Sequence, residues 1–152
     1  MLNETILEQN KQIVRRYLEE CWNQGKMDRV EQLVTADCRY HDPVFPSLTA
    51  GAENLKRHIA MCRNGFPDLH YSIDDVIAER DEVVMHWTAH ATHEGTFLGI
   101  APTRKTAQVS GSMICRIRNN KIAEQFVDWN LLTLLEQLGV SSAAKIQVAA
   151  RR

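Results

Sequence analysis

The spacing of the apolar residues changes near Pro67, and this change limits the possible folds more than any other feature of the sequence. Before Pro67, apolar residues recur every three or four positions in residues 5–23 and 52–66, as on the buried side of a helix. After Pro67, apolar and polar residues alternate, as along a strand with one buried face. Helices followed by a meander of antiparallel strands predict an α+β fold, with a curved sheet whose concave side is filled by the helices.

Local signals place the ends of these elements. Thr5 followed by Glu8 is a capping-box pattern at the start of the first helix, and Gly25 is suited to its end. A short second helix follows, and after the strands a terminal helix ends at Gly139. Residues 118–121 (RNNK) predict a tight turn, because asparagine tolerates positive φ. The four strands are expected at residues 69–79, 82–95, 103–119 and 120–129. Residues 1–140 are expected to form a single domain, and residues 141–152 a tail without strong periodicity.

Composition excludes several classes of protein. The 152 residues carry a net charge of -1, so no basic excess attracts nucleic acid or an anionic membrane. No stretch approaches the roughly 20 apolar residues that span a bilayer, and the N-terminus is too polar for a signal peptide. A soluble cytoplasmic protein is therefore expected. The four cysteines lie far apart without a CxxC pair, which favours reduced core residues over disulfides.

The last predicted strand carries the most informative polar residues. Side chains alternate across a strand, so Phe126, Asp128 and Asn130 share one face. If this face is the concave one, burial would raise the pKa of Asp128 and make it a candidate proton shuttle. Alternatively, Asp128 or Asn130 caps the helix that follows, since both residue types are preferred caps. The pattern alone fits both readings equally.

The histidines give a second set of candidates. His86, His90 and His93 lie on one predicted strand, where their spacing does not let them converge on a metal, so no metal site is expected. His93 shares a face with Trp87 and is the one expected to reach a cavity. His58 lies on the apolar face of the third helix, where a histidine is more often a core residue than a catalyst.

Two further pairs leave alternatives open. His41 and Asp42 precede Pro43 in an extended segment, where adjacent side chains point apart. Either both are solvated or one reaches inward. Arg116 and Arg118 share a face of the third strand, where one could hold an anionic substrate, although exposed arginines are the commoner outcome. The GxSxG, GxxxxGK[ST], GxGxxG and HExxH motifs are absent, which leaves cofactor-free acid/base chemistry or binding.

Three stretches, in order along the chain, resemble the SnoaL-like polyketide cyclase (ester cyclase) family of the nuclear transport factor two-like superfamily. They are YHDPVFPSLTAGAENLK, GFPDLHYSIDDVIAERDEVVMHWTAHATHEGTFLGIAPTRK and ICRIRNNKIAEQFVDWNLLTLLEQLG. The resemblance covers residues 10 to 140. It implies a cone-shaped antiparallel sheet wrapped over three N-terminal helices around one deep pocket, as in ketosteroid isomerase and scytalone dehydratase.

The resemblance also implies a chemistry. The family's known cyclases close a ring by intramolecular aldol condensation without a metal or cofactor, and they form dimers or tetramers. Their general acid/base is an aspartate at the end of the last strand, a position that falls on Asn130 in this chain. An amide cannot exchange a proton as a carboxylate does, and Asp128 is the nearest carboxylate on the same predicted face. Other departures from the family pattern occur at His86, Ala91, Ala101, Arg104 and Phe126.

The leading hypothesis is a cofactor-independent enzyme acting on a small carbonyl-bearing apolar substrate as a homodimer or homotetramer. Asp128 would be the acid/base, and Asn130 and His93 would bind the substrate oxygens. The residues expected to line the pocket are Tyr40, His41, His58, Leu69, Trp87, Arg116 and Phe126. The alternatives are a non-catalytic small-molecule binder and an epoxide hydrolase or dehydratase.

Overall fold

A computed structural model describes residues 2–140 of the chain. The predicted tail, residues 141–152, lies outside the described residues. The helices are α1 (Leu2–Arg16), α2 (Val30–Leu33), α3 (Ala52–Gly65) and α4 (Leu131–Gln137); α1 continues as a π-helix (Tyr17–Asn23), and a 3₁₀ turn (Met27–Arg29) precedes α2. The strands are β1 (Val34–His41), β2 (His70–Glu79), β3 (Glu82–Thr92), β4 (Thr106–Arg118) and β5 (Lys121–Trp129).

The sequence predicts these elements well. Asn119 and Asn120 have φ values of 51° and 61° in the turn between β4 and β5, as a type I′ hairpin requires. Gly25 and Gly139 take positive φ after the π-helix and after α4. One local prediction is wrong, because α1 begins at Leu2 and the capping-box residue Thr5 therefore lies inside the helix.

The five strands form one sheet in the order β1-β5-β4-β3-β2. Strands β2 to β5 form an antiparallel meander, whereas β1 pairs with β5 in parallel. The α+β class is confirmed. The parallel pairing departs from the wholly antiparallel sheet that was expected. The parallel pairing places the C-terminal ends of β1 and β5 next to each other at the same end of the sheet.

The helices pack on one face of this sheet. α1 contacts β2, α3 contacts β1, and α4 contacts β4. The residues buried between the layers include Val14, Leu55 and Ile59 from the helices and Val83, Met85, Met113 and Ile122 from the sheet. All four cysteines are buried and unpaired, which confirms the prediction that they are core residues. None of the helices within residues 2–140 is long and apolar enough to cross a membrane.

Gly111 lets an indole ring lie directly against the inner face of the sheet. It is the cross-strand partner of Trp87. A Cβ at this position would lie 2.4 Å from Cζ2 of Trp87 and 2.7 Å from the backbone oxygen of Asp128. Both distances are far shorter than van der Waals contact, so any larger residue would displace the ring or the neighbouring strand.

We expect Gly111→Ala to lower the free energy of unfolding by about 1 to 3 kcal/mol, because an extra methyl group overpacks this site. Urea denaturation would measure the loss. Repeating the substitution in a Trp87→Phe background provides the control, since the smaller ring leaves room for part of the methyl group and the loss should shrink. An equal loss in both backgrounds would contradict the clash with the indole.

Candidate active site

An aromatic cavity opens between the concave face of the sheet and the helices. The chain has three tryptophans, three tyrosines and four phenylalanines. Eight of these ten residues line the cavity: Trp22, Tyr40, Phe45, Phe66, Tyr71, Trp87, Phe97 and Trp129. The cavity contains about 610 Å³ of empty space, counting the space at its mouth.

Asp42 lies in the wall of this cavity and also borders a groove on the outer side of the sheet. Asp42 is only 6% exposed. Its Oδ1 accepts a hydrogen bond from the backbone N–H of Val44 at 2.9 Å, and its Oδ2 accepts one from the indole Nε1–H of Trp129 at 3.2 Å. The two bonds come from different parts of the chain. They fix the orientation of the carboxylate.

Local sequence and sheet pairing together place Asp42 there. Asp-Pro is a favoured pair for the first two positions of a type I turn, and the backbone N–H of Phe45 bonds to the carbonyl of Asp42 at 3.0 Å. The side-chain bond to Val44 is the accompanying Asx turn. Because β1 and β5 are parallel, with His41 opposite Phe126, the residue after β1 meets Trp129 at the end of β5.

Burial raises the pKa of the Asp42 carboxyl above its ordinary value, and the nearby carboxylate of Asp128 adds to this rise. The hydrogen bonds from Val44 and Trp129 act in the opposite direction. A carboxylate of raised pKa is a stronger base than an exposed one, and it exchanges its proton closer to neutral pH. Asp42 therefore has the electrostatic character expected of a general acid/base.

His58 is the second titratable group in the cavity wall. The residue is only 7% exposed, and its ring lies 4.6 Å from that of Phe45 and 5.3 Å from that of Tyr40, measured between ring centroids. Burial lowers its pKa from 6.5 to about 4. The imidazole is therefore neutral at pH 7 and can donate a hydrogen bond without carrying charge.

Four of the predicted pocket residues do line the cavity. Tyr40, His58, Leu69 and Trp87 belong to its wall. They come from β1, α3, the loop before β2, and β3.

The predicted direction of the β5 side chains is wrong. Gln125 and Val127 are buried on the inner face, whereas Asp128 is exposed on the outer face. Phe126 is on the outer face too, where it stacks on His41 with ring centroids 4.4 Å apart. Asp128, Phe126 and His41 line a groove on the outer side of the sheet, which we call the outer groove.

Asn130 has the capping role that the sequence left open. Its side-chain oxygen accepts a hydrogen bond from the backbone N–H of Thr133 at 3.1 Å. It is therefore the N-cap of α4, and it is exposed rather than directed into the cavity. The position that the resemblance matches to the family's aspartate therefore serves a helix terminus in this chain.

His93 and Arg116 also lie outside the cavity. His93 is fully buried, stacks on Phe66, and accepts at Nδ1 a hydrogen bond from the backbone N–H of Thr103 at 3.2 Å. Burial lowers its pKa, which the backbone of Gly95 and Ile100 partly offsets. His93 therefore holds the loop between β3 and β4 in place.

Arg116 is exposed on the outer face of the sheet. It forms ion pairs with Glu124 at 3.2 Å and with Glu82 at 3.4 Å. It is therefore not placed to hold a substrate in the cavity. Within residues 2–140, no group of three or more histidine, cysteine or acidic side chains is arranged to hold a metal ion.

The fold and the cavity define a class of proteins. They are α+β domains in which a curved sheet and helices enclose a pocket for a small molecule. A family model of the SnoaL-like polyketide cyclases matches residues 12–138. The chain belongs to this family.

Several solved structures have the same fold. A candidate polyketide cyclase of Jannaschia sp. CCS1 superposes with a TM-score of 0.81 at 24% identity, covering 90% of this chain and 96% of that one. A candidate polyketide cyclase of Acidithiobacillus ferrooxidans gives 0.79 at 24% identity, with 88% and 96% covered. A Catenulispora acidiphila protein of ketosteroid isomerase-like fold, solved with trimethylamine, gives 0.73 at 19% identity, with 85% and 93% covered. No curated protein matches the chain in sequence at a significant level.

Proposed function

We propose that this protein is a cofactor-independent enzyme of polyketide cyclase-like type that uses Asp42 as general acid/base on a small carbonyl-bearing substrate. One observation carries the proposal: the Asp42 carboxylate is held by two hydrogen bonds in the wall of an aromatic cavity. A carboxylate buried in such a place costs free energy. A general base is a chemical reason for keeping it.

The reaction follows from this arrangement. The ionised Asp42 removes a proton from the carbon next to the substrate carbonyl, and the resulting enolate carbon attacks a second carbonyl to form the new bond. The protonated Asp42 then gives its proton to the oxygen of that second carbonyl. The neutral imidazole of His58 and the hydroxyl of Tyr40 are the donors in the cavity wall that we assign to the enolate oxygen. The aromatic rings hold a flat apolar substrate and exclude water.

Deuterium exchange tests the proposal without knowledge of the natural substrate. 2-Tetralone and related aryl ketones would be incubated with the protein in D₂O, and loss of the α-proton signal would be followed by NMR. We expect exchange faster than in buffer alone. Failure of the protein to accelerate exchange in any ketone of the series would count against acid/base function.

A second candidate function is binding without turnover. The capping role of Asn130 favours it, because the carboxylate position typical of the family carries no acid/base group here. Tight binding of a ketone without exchange would support this reading. An epoxide hydrolase or dehydratase is the third possibility, and formation of a diol from a small epoxide panel would point to it.

We propose a homodimer formed through the outer face of the sheet. Four apolar residues lie in register across β2, β3, β4 and β5: Ile77, Val84, Ile114 and Phe126. Ile77 is 60% exposed, Val84 39% and Ile114 38%. A row of this kind can pack against itself across a two-fold axis. The buried, unpaired thiols suit the reducing cytoplasm, which is the location we propose.

We expect Ile114→Lys to convert the dimer to a monomer, because it places a charge in the middle of the apolar row. Light scattering coupled to size-exclusion chromatography measures the mass. Leu132→Lys is the matched control, since Leu132 is an exposed apolar residue on α4, away from the sheet. A dimer that persists in Ile114→Lys would place the interface elsewhere.

A further inference from the structure

The cavity wall carries one acidic side chain, that of Asp42. Among the described residues that line it, Asp42 is the only acidic or basic side chain apart from His58. His58 is neutral at pH 7, because burial lowers its pKa to about 4. The remaining polar groups are hydroxyls, indoles and the thiol of Cys62, all of them uncharged. The cavity therefore carries a single negative charge when Asp42 is ionised.

That charge has no counterion within the described part of the chain. The ion pairs formed by residues 2–140 do not include Asp42. The carboxylate oxygens accept hydrogen bonds from two neutral donors, the backbone N–H of Val44 and the indole of Trp129. A buried carboxylate is usually paired with a cation, and a cationic ligand bound in the cavity would supply one.

The aromatic walls favour the same kind of ligand. Trp22 and Tyr71 meet edge to face with centroids 5.5 Å apart, and Tyr71 and Trp87 meet likewise at 4.9 Å. Aromatic faces attract organic cations, and the attraction is strongest when water is excluded. An anionic ligand would meet both the charge of Asp42 and the negative ring faces.

We infer that the cavity selects organic cations, with an alkylammonium group beside Asp42 and an apolar remainder against the aromatic rings. This inference rests on the proposed function in one respect, which is that both use the same cavity. It adds the charge of the preferred ligand. Amine-bearing substrates or inhibitors would therefore bind better than neutral molecules of the same shape, and carboxylic acids worse.

A pair of probes of equal shape tests the inference. Benzyltrimethylammonium and neopentylbenzene differ in a single central atom, nitrogen or carbon, and hence in charge. All three tryptophans line the cavity, so quenching of tryptophan fluorescence reports binding. At pH 7.5 we expect the cation to bind at least tenfold more tightly than its neutral counterpart. Asp42→Asn should remove this preference, whereas Asp28→Asn, a change at an exposed carboxylate outside the cavity, should keep it.

Acidification of the wild-type protein supplies a second measurement. The titratable groups that surround Asp42 are Tyr40 on β1, His58 and Cys62 on α3, Tyr71 on β2 and Asp128 on β5. Because the pKa of Asp42 is raised, lowering the pH towards 4 increases its protonated fraction, which should weaken binding of the cation while leaving neopentylbenzene unaffected. His58→Phe serves as the control, because protonation of His58 would weaken cation binding in the same direction.

The outcomes separate the inference from the proposed function. Equal affinities for the two probes, or no binding of either, would overturn the cation preference. Ketone exchange without a cation preference would leave the acid/base proposal standing alone. A cation preference that Asp42→Asn removes, without ketone exchange, would support the inference and identify the protein as a binder.

Discussion

Asp42→Asn is expected to slow α-proton exchange of a ketone substrate by about 10² to 10⁴-fold, the usual contribution of a positioned acid/base. Asparagine has nearly the shape of aspartate but cannot take up a proton. It keeps one oxygen to accept a hydrogen bond from Val44 or Trp129. The rate would be measured by NMR in D₂O with 2-tetralone or another ketone that the wild-type protein exchanges.

Asp128→Asn is the informative comparison for this experiment. Asp128 is exposed and lines the outer groove, and it acts on Asp42 only through its charge. If Asp42 is the base, Asp128→Asn should retain most of the rate, and the pH profile should move towards acid because one negative neighbour is removed. Loss of activity in Asp128→Asn with full activity in Asp42→Asn would instead assign the general acid/base role to Asp128.

The fold could be predicted from the sequence because the patterns that indicate it lie within short segments of the chain. The change of period near Pro67 separates α1 to α3 from the meander of β2 to β5, and the asparagine pair at the β4–β5 turn adopts the positive φ that its composition predicts. The parallel pairing of β1 with β5 joins segments more than 80 residues apart. No local pattern specifies that pairing, and it positions Asp42 beside Trp129.

The site was predicted less well, and β5 shows why. Its outer face carries Phe126 and its inner face carries Gln125, so polarity does not distinguish the two faces. The sequence correctly grouped Phe126 with Asp128 but assigned the group to the wrong side. The sequence named Asp42 only as one member of the His41–Asp42 pair, and it left open whether either side chain reaches inward. Its turn chemistry was visible in the sequence, whereas its indole partner and its burial depend on tertiary structure.

His58 should make the protein sensitive to mild acid. Burial among aromatic rings lowers its pKa to about 4, whereas an unfolded histidine has a pKa near 6.5. Between these values the unfolded state binds more protons than the folded state, so stability falls as the pH is lowered from 6.5 to 4. Because a tenfold change in proton affinity corresponds to about 1.4 kcal/mol, the complete loss is roughly 3 kcal/mol.

The contribution of His58 can be isolated with a single substitution. Phenylalanine keeps an aromatic ring beside Phe45 and Tyr40 but does not titrate, so His58→Phe should lose less free energy of unfolding between pH 6.5 and 4.5 than the wild type. Urea denaturation at several pH values measures the difference, and His90→Gln, at an exposed histidine on β3, is the control. The raised pKa of Asp42 makes its contribution to stability increase as the pH falls, which is opposite to the effect of His58. The lowered pKa of His93 makes its contribution decrease as the pH falls, as for His58. Both are unchanged in His58→Phe, so parallel pH dependences of the wild type and His58→Phe would contradict the assignment to His58.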